Sequence, residues 1–236
     1  DYQNAGVNGA DCSNEQEYIK QAFKRNQTAD YPVLVTLELV GNDVCRGGAR
    51  MTTPDVFKTR ILNILNYLDT VLPTGSHVLT VGLANGSLLY DTMWNRTHPM
   101  GVTYANLYDY LECLDVSPCK GWLTSNATRR AETTERAMNL SKVYPEIIAS
   151  GVQFKHFDLA YFDLPCNEIF DNWTKQGNDP SLLIEPVDGF HPSQISISLM
   201  ADYYWERLQR ELPSWIGPVN PNNQAILERF GNQGGY

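Results

Sequence analysis

Hydrophobic positions recur along the chain in two periods, and the two periods alternate. Tyr18, Ile19, Ala22 and Phe23 form one apolar face over residues 15–25, which predicts a short helix capped by Ser13 or Asn14. Tyr31-Pro32 leads into Val33-Leu34-Val35-Thr36-Leu37-Glu38-Leu39-Val40, a nearly continuous apolar run that predicts a strand buried on both faces of a parallel sheet. Gly41-Asn42-Asp43 stops it. Val56, Phe57, Ile61, Leu65, Leu68 and Leu72 then recur at helical spacing behind Pro54, so a helix is expected from a Thr52 or Thr53 cap to Leu72. Residues 76–83 read as the next strand, 129–148 as a helix that Pro145 kinks or interrupts, and 152–159 as a third, alternating strand. A loop over 160–191 follows, and then a last helix opened by Ser193 or Ser196 and running to about Leu212. Strand, helix, strand with short connections is the parallel α/β pattern.

One stretch breaks the rhythm. Residues 84–126 scatter Met93, Trp94, Tyr104, Leu107, Tyr108 and Trp122 among glycines, prolines and two cysteines. Such an excursion after a strand reads as a lid or substrate-binding insertion, or as a segment whose aromatics pack a small core of their own. The chain therefore divides into residues 1–83 and 127–212 as two parts of one core, 84–126 as the insertion and 213–236 as a tail without periodicity.

Composition narrows the classes. With 27 acidic against 18 basic residues and a net charge of -9, a sequence-independent nucleic-acid binder is disfavoured. The longest apolar runs fall far short of the roughly 20 residues that cross a bilayer, so no transmembrane segment is expected. The start, Asp1-Tyr2-Gln3-Asn4, has no initiator methionine, and the chain reads as processed or as part of something longer. Glycosylation sequons stand at Asn26, Asn85, Asn95, Asn126, Asn139 and Asn172, which favours passage through a secretory pathway. Cys12, Cys45, Cys113, Cys119 and Cys166 are disulfide candidates there; their odd number points to a free thiol or to a bridge to another polypeptide, and their spacing matches no metal site.

Three constellations fall at strand ends or loops, where open parallel sheets place ligands. Asn4-Ala5-Gly6-Val7-Asn8-Gly9 offers backbone N–H groups unobstructed by a Cβ. Asn42 in Gly41-Asn42-Asp43 can aim an amide N–H at an oxygen that gains negative charge; a strand-ending turn is the plainer alternative. In Asp188-Gly189-Phe190-His191-Pro192 the three-residue offset can turn the carboxylate toward one imidazole nitrogen while the other faces the reaction. Taken in this order, the three blocks resemble the SGNH or GDSL-type hydrolases. The resemblance implies a three-layer, flavodoxin-like α/β sheet, incomplete in this chain and carrying a long glycosylated insertion. It also implies a carboxylic ester hydrolase with His191 and Asp188 catalytic and Asn42 and Gly9 in the oxyanion hole.

The family's nucleophilic serine, in a Gly-Asp-Ser block, has no counterpart here: there is no G-x-S-x-G elbow, and Ser87 belongs to a sequon. The chain alone is thus expected to be inactive, with the serine on a companion polypeptide segment. Tyr161-Phe162-Asp163-Leu164-Pro165-Cys166-Asn167, the long insertion and the tail after Trp215 are similar to the C-terminal part of the large catalytic subunit of a secreted and lysosomal lipase in this family. That closer resemblance implies a saposin-like small subunit linked by disulfide, calcium in the companion part of the assembly but none in this chain, and lipid A of bacterial lipopolysaccharide as substrate. Secondary, acyloxy-linked fatty acyl chains would be released from it. Leu88, Leu89, Met93, Trp94, Tyr104 and Leu107 are then candidates to line an acyl trough. The alternatives are a secreted glycan or acetyl esterase of the same class, and a non-catalytic secreted binding module.

Overall fold

The computed structural model describes residues 4–83 and 85–232. Its sheet has three parallel strands in the order β1-β2-β3, namely β1 (Leu34–Glu38), β2 (Ser76–Val81) and β3 (Phe157–Phe162). Leu34 pairs with His77 and Glu38 with Val81; Ser76 pairs with Phe157 and Val81 with Phe162. The most buried strand is β2, the central one, with five of its six residues buried. Along β1, burial alternates instead, with Leu34, Thr36 and Glu38 exposed and Leu37 buried, since β1 pairs only with β2 among the described residues. The third strand begins at Phe157, five residues later than its alternating pattern predicts: Val152 and Phe154 are half-buried and pack on the core from the connecting loop.

The helices follow the pattern closely where a cap or a proline fixes an end. α1 is Glu15–Ala22, and after the short α2 (Gly41–Cys45) comes α3 (Pro54–Val71), with proline in its first turn and Thr53 extended at its N-cap. Phe57, Ile61, Ile64, Leu65 and Leu68 fill the buried face of α3, each at most 2% exposed, and side chains of this kind contribute roughly 1.5–3 kcal/mol apiece on burial. The expected helix over 129–148 is two, α6 (Ala127–Ser141) and α7 (Val143–Ala149), divided at Lys142. Pro145 thereby falls in the first turn of α7, where its missing N–H costs nothing.

Residues 84–126 are more regular than their sequence suggests, and contain α4 (Ser87–Met93) and α5 (Tyr104–Cys113). Their apolar residues do not form a separate core: Tyr90, Met93, Tyr104, Leu107, Tyr108, Trp122 and Leu123 are buried in one cluster with α3, α6 and α7. A disulfide joins Cys45 of α2 to Cys119, leaving Cys12, Cys113 and Cys166 as thiols. The segment expected as loop from 160 to 191 carries the end of β3, α8 (Cys166–Lys175) and a 3-10 turn at Pro180–Leu183. The sequon asparagines Asn26, Asn95, Asn126 and Asn172 are exposed, and Asn85 and Asn139 half-buried.

Two compact units divide the chain at Ala201 and Asp202. α9 (Gln194–Glu211) runs through that division, and the second unit ends with a 3-10 turn at Pro213–Trp215 and α10 (Asn223–Phe230), a helix in the stretch where no periodicity was expected. Among the described residues, no helix is long and apolar enough to cross a membrane.

Candidate active site

The first two constellations meet at the C-terminal end of β1. Val40 there is fully buried at φ 116°, a left-sided conformation that a β-branched residue adopts only under strain. This turn breaks the strand at once and starts α2, with Asn42 exposed in its first turn. Asn42 Nδ2 donates to the carbonyl of Ala10 at 2.8 Å. One of its two N–H bonds is thereby fixed and the other is left to donate. Beside it, buried Asp43 accepts the Cys12 N–H at 3.3 Å on each carboxylate oxygen and the Thr52 hydroxyl at 2.8 Å. Burial pushes the Asp43 pKa up, against the opposing pull of those hydrogen bonds. Two neighbouring side chains thus stitch Ala10 and Cys12 to the Asn42 turn. Gly9, exposed at φ 76°, immediately precedes Ala10; only glycine adopts that conformation without penalty.

The third constellation is a closed loop. Ile184 and Pro192 form an antiparallel bridge, Glu185 N–H donates to the His191 carbonyl at 2.8 Å, and Gly189 N–H donates to the Glu185 carbonyl at 2.9 Å. Inside it the Asp188 carboxylate accepts three bonds: Phe190 N–H at 2.8 Å and His191 N–H at 3.0 Å on Oδ1, and His191 Nδ1 at 2.6 Å on Oδ2. The bond that His191 donates to Asp188 raises the His191 pKa, outweighing partial burial. On Asp188 burial works upward, but the bonds from His191 and Phe190 prevail and hold the carboxyl below its ordinary range. The pair is ordered for acid–base work: Asp188 occupies Nδ1, which turns Nε2 outward on a side chain that is 55% exposed.

The residues proposed to line an acyl trough fall in different places. Met93, Tyr104 and Leu107 are buried in the core, Leu88 and Leu89 pack partly against it, and Trp94 is exposed. Tyr104 donates its hydroxyl to the Pro186 carbonyl at 2.6 Å, Tyr108 donates to the Gly189 carbonyl at 2.7 Å, and His98 Nε2 lies 2.9 Å from the Val187 carbonyl. These contacts span 81 to 89 residues of sequence, and no spacing announces them. A groove of about 960 Å³ runs instead along the free edge of β1, lined by Val33, Val35, Leu37, Phe23, Gly6 and Asn42 among others.

Among the described residues, Ser87, Ser193, Cys12 and Cys166 are each engaged elsewhere or kept protonated. Ser87 Oγ lies 3.0 Å from Thr134 Oγ1, and Ser193 Oγ donates to the Leu182 carbonyl at 2.6 Å. Burial pushes the Cys12 and Cys166 thiols up to about 12, which keeps them protonated and unreactive. Among the described residues, no group of three His, Cys, Asp or Glu side chains could hold a metal ion.

The family model described as GDSL-like Lipase/Acylhydrolase covers residues 1–204. Over its whole length the chain is 44% identical to the acyloxyacyl hydrolase of Homo sapiens, 45% identical to that of Oryctolagus cuniculus and 42% identical to that of Mus musculus. It spans 42% of the length of each of these relatives. The chain, with its Asn42 turn and its paired Asp188 and His191, belongs to the GDSL-like lipase and acylhydrolase family.

Proposed function

We propose that this chain supplies the acid–base pair and oxyanion donors of an acyloxyacyl hydrolase whose nucleophilic serine lies on a companion segment. The 2.6 Å bond between Asp188 and His191 carries the reading. In that reading the serine attacks the ester carbonyl, and His191 Nε2 takes its proton while Asp188 stabilises the imidazolium. The second N–H of Asn42 and the backbone N–H of Gly9 receive the developing oxyanion. His191 returns the proton to the departing alkoxide, and water then releases the acyl group by the same steps in reverse order.

The free edge of β1 and its groove offer a parallel strand of the companion segment a place to pair, beside Asn42. Likeness to the relatives favours secondary, acyloxy-linked fatty acyl chains of lipid A as substrate. In the same reading the protein is a secreted or lysosomal glycoprotein with a disulfide-linked, saposin-like small subunit and calcium bound in the companion part. Cys113, an exposed thiol at the end of α5, suits a bridge to another chain.

The assembled protein should release long secondary acyl chains from lipid A and leave the primary ones, read as mass losses of the product lipid. Short acetyl or glycan esters cleaved at least about tenfold faster would instead make it a polar-substrate esterase, since each buried methylene adds roughly 0.8 kcal/mol to recognition of a long chain. Asn42→Ala should slow acyl transfer by roughly 10² to 10³ fold with affinity nearly unchanged. A rise confined to KM would make Asn42 a binding residue.

A further inference from the structure

The Asp188–His191 loop lies at the surface, yet the carbonyls on either side of Asp188 are held from beneath by the insertion. His98, Tyr104 and Tyr108 reach the carbonyls of Val187, Pro186 and Gly189 at 2.9, 2.6 and 2.7 Å. All three side chains are buried, Tyr108 completely. Burial pushes the pKa of both tyrosines up, and the nearby charge of Asp188 adds to it, so their hydroxyls stay protonated and act as donors. The rings also leave the main chain no slack: Gly189 stands at φ 63°, and a Cβ there would come within 2.5 Å of the Tyr108 hydroxyl and 2.7 Å of Tyr104 Cδ1.

We infer that Tyr108, supported by Tyr104 and His98, is a positioning residue that fixes the main chain around Asp188 and through it the direction in which His191 presents Nε2. The inference rests on the reading of Asp188 and His191 as the acid–base pair. It assigns residues 84–126 a role in holding the catalytic loop, delivered through three carbonyls. The tie also links two parts of the site, because the Cys45–Cys119 disulfide fastens the same insertion to α2, which carries Asn42.

The test uses the full-length protein with its nucleophile segment. Tyr108→Phe keeps the ring and deletes the hydroxyl; kcat should fall by roughly 10 to 100 fold with KM nearly unchanged, because the imidazole is misplaced while the acyl pocket is not. On an Asp188→Asn background the same substitution should lower kcat by less than about twofold, since both changes act through one imidazole. A folded Tyr108→Phe protein with the parent kcat, a loss confined to KM, or a full multiplicative loss in the double variant would overturn the inference. Should Tyr108→Phe fail to fold, Tyr104→Phe carries the same comparison through the Pro186 carbonyl. His191→Ala turning over at the parent rate would withdraw the acid–base assignment itself, and is read separately from the tyrosine variants.

Discussion

Produced alone, the chain should turn over no long-chain ester above the uncatalysed rate, and supplying the companion segment should restore activity. The reasons are chemical and structural. The thiols of buried Cys12 and half-buried Cys166 are protonated, and Ser87 and Ser193 are bonded away from His191. Among the described residues, β1 exposes Leu34 and pairs on one edge only, a surface that invites self-association until another strand covers it. The isolated chain should therefore also elute as aggregates in size-exclusion chromatography, and co-expression with the preceding segment should give a single species. Hydrolysis of a long-chain ester by the isolated, monomeric chain would sink this expectation.

Asp188→Asn should lower turnover by up to about 10⁴ fold while leaving the loop folded, because the amide no longer stabilises the imidazolium and favours the wrong tautomer. His191→Ala should remove most of the acid–base contribution at any pH where the protein is folded. The pH dependence distinguishes them. His191 must be neutral to accept a proton, and its pKa is raised by Asp188. The rate of the parent protein should thus rise with pH through a value above that of an ordinary histidine, and in Asp188→Asn this acid limb should move to lower pH. Stability follows the same pair with its own signs: the lowered Asp188 contributes above its unfolded pKa and is lost as pH falls through the folded one, while the raised His191 contributes below its unfolded pKa and is lost as pH rises through the folded one. Both side chains are partly exposed, so the unfolding temperature should shift little compared with the rate. Activity and stability lost together in both variants would reduce the loop to a structural clip.

Much of this site was legible in the sequence because its chemistry is local. The Asp188–His191 offset lies within one loop, and Asn42 follows immediately on a strand whose apolar run marks its own end. What escaped were contacts between distant segments. Tyr104 reads as an acyl-binding aromatic until its hydroxyl is seen on the Pro186 carbonyl, and His98 carries no pattern at all. β1 looked doubly buried because apolar content reports what a strand can bury; the neighbour that would bury it is a matter of tertiary structure. The helices of 84–126 were obscured by their shortness, at 7 and 10 residues, among prolines and glycines. Elements with strong ends, such as α3 behind Pro54, were placed within a residue or two.

The proposed division of the catalytic machinery between two segments is tested most directly by covalent trapping. The full-length protein would be treated with a long-chain fluorophosphonate, digested, and the modified peptide located by mass spectrometry. The account predicts one labelled serine outside these 236 residues, with labelling slowed by orders of magnitude in His191→Ala. A labelled serine within the chain, or labelling at the parent rate without His191, would contradict it.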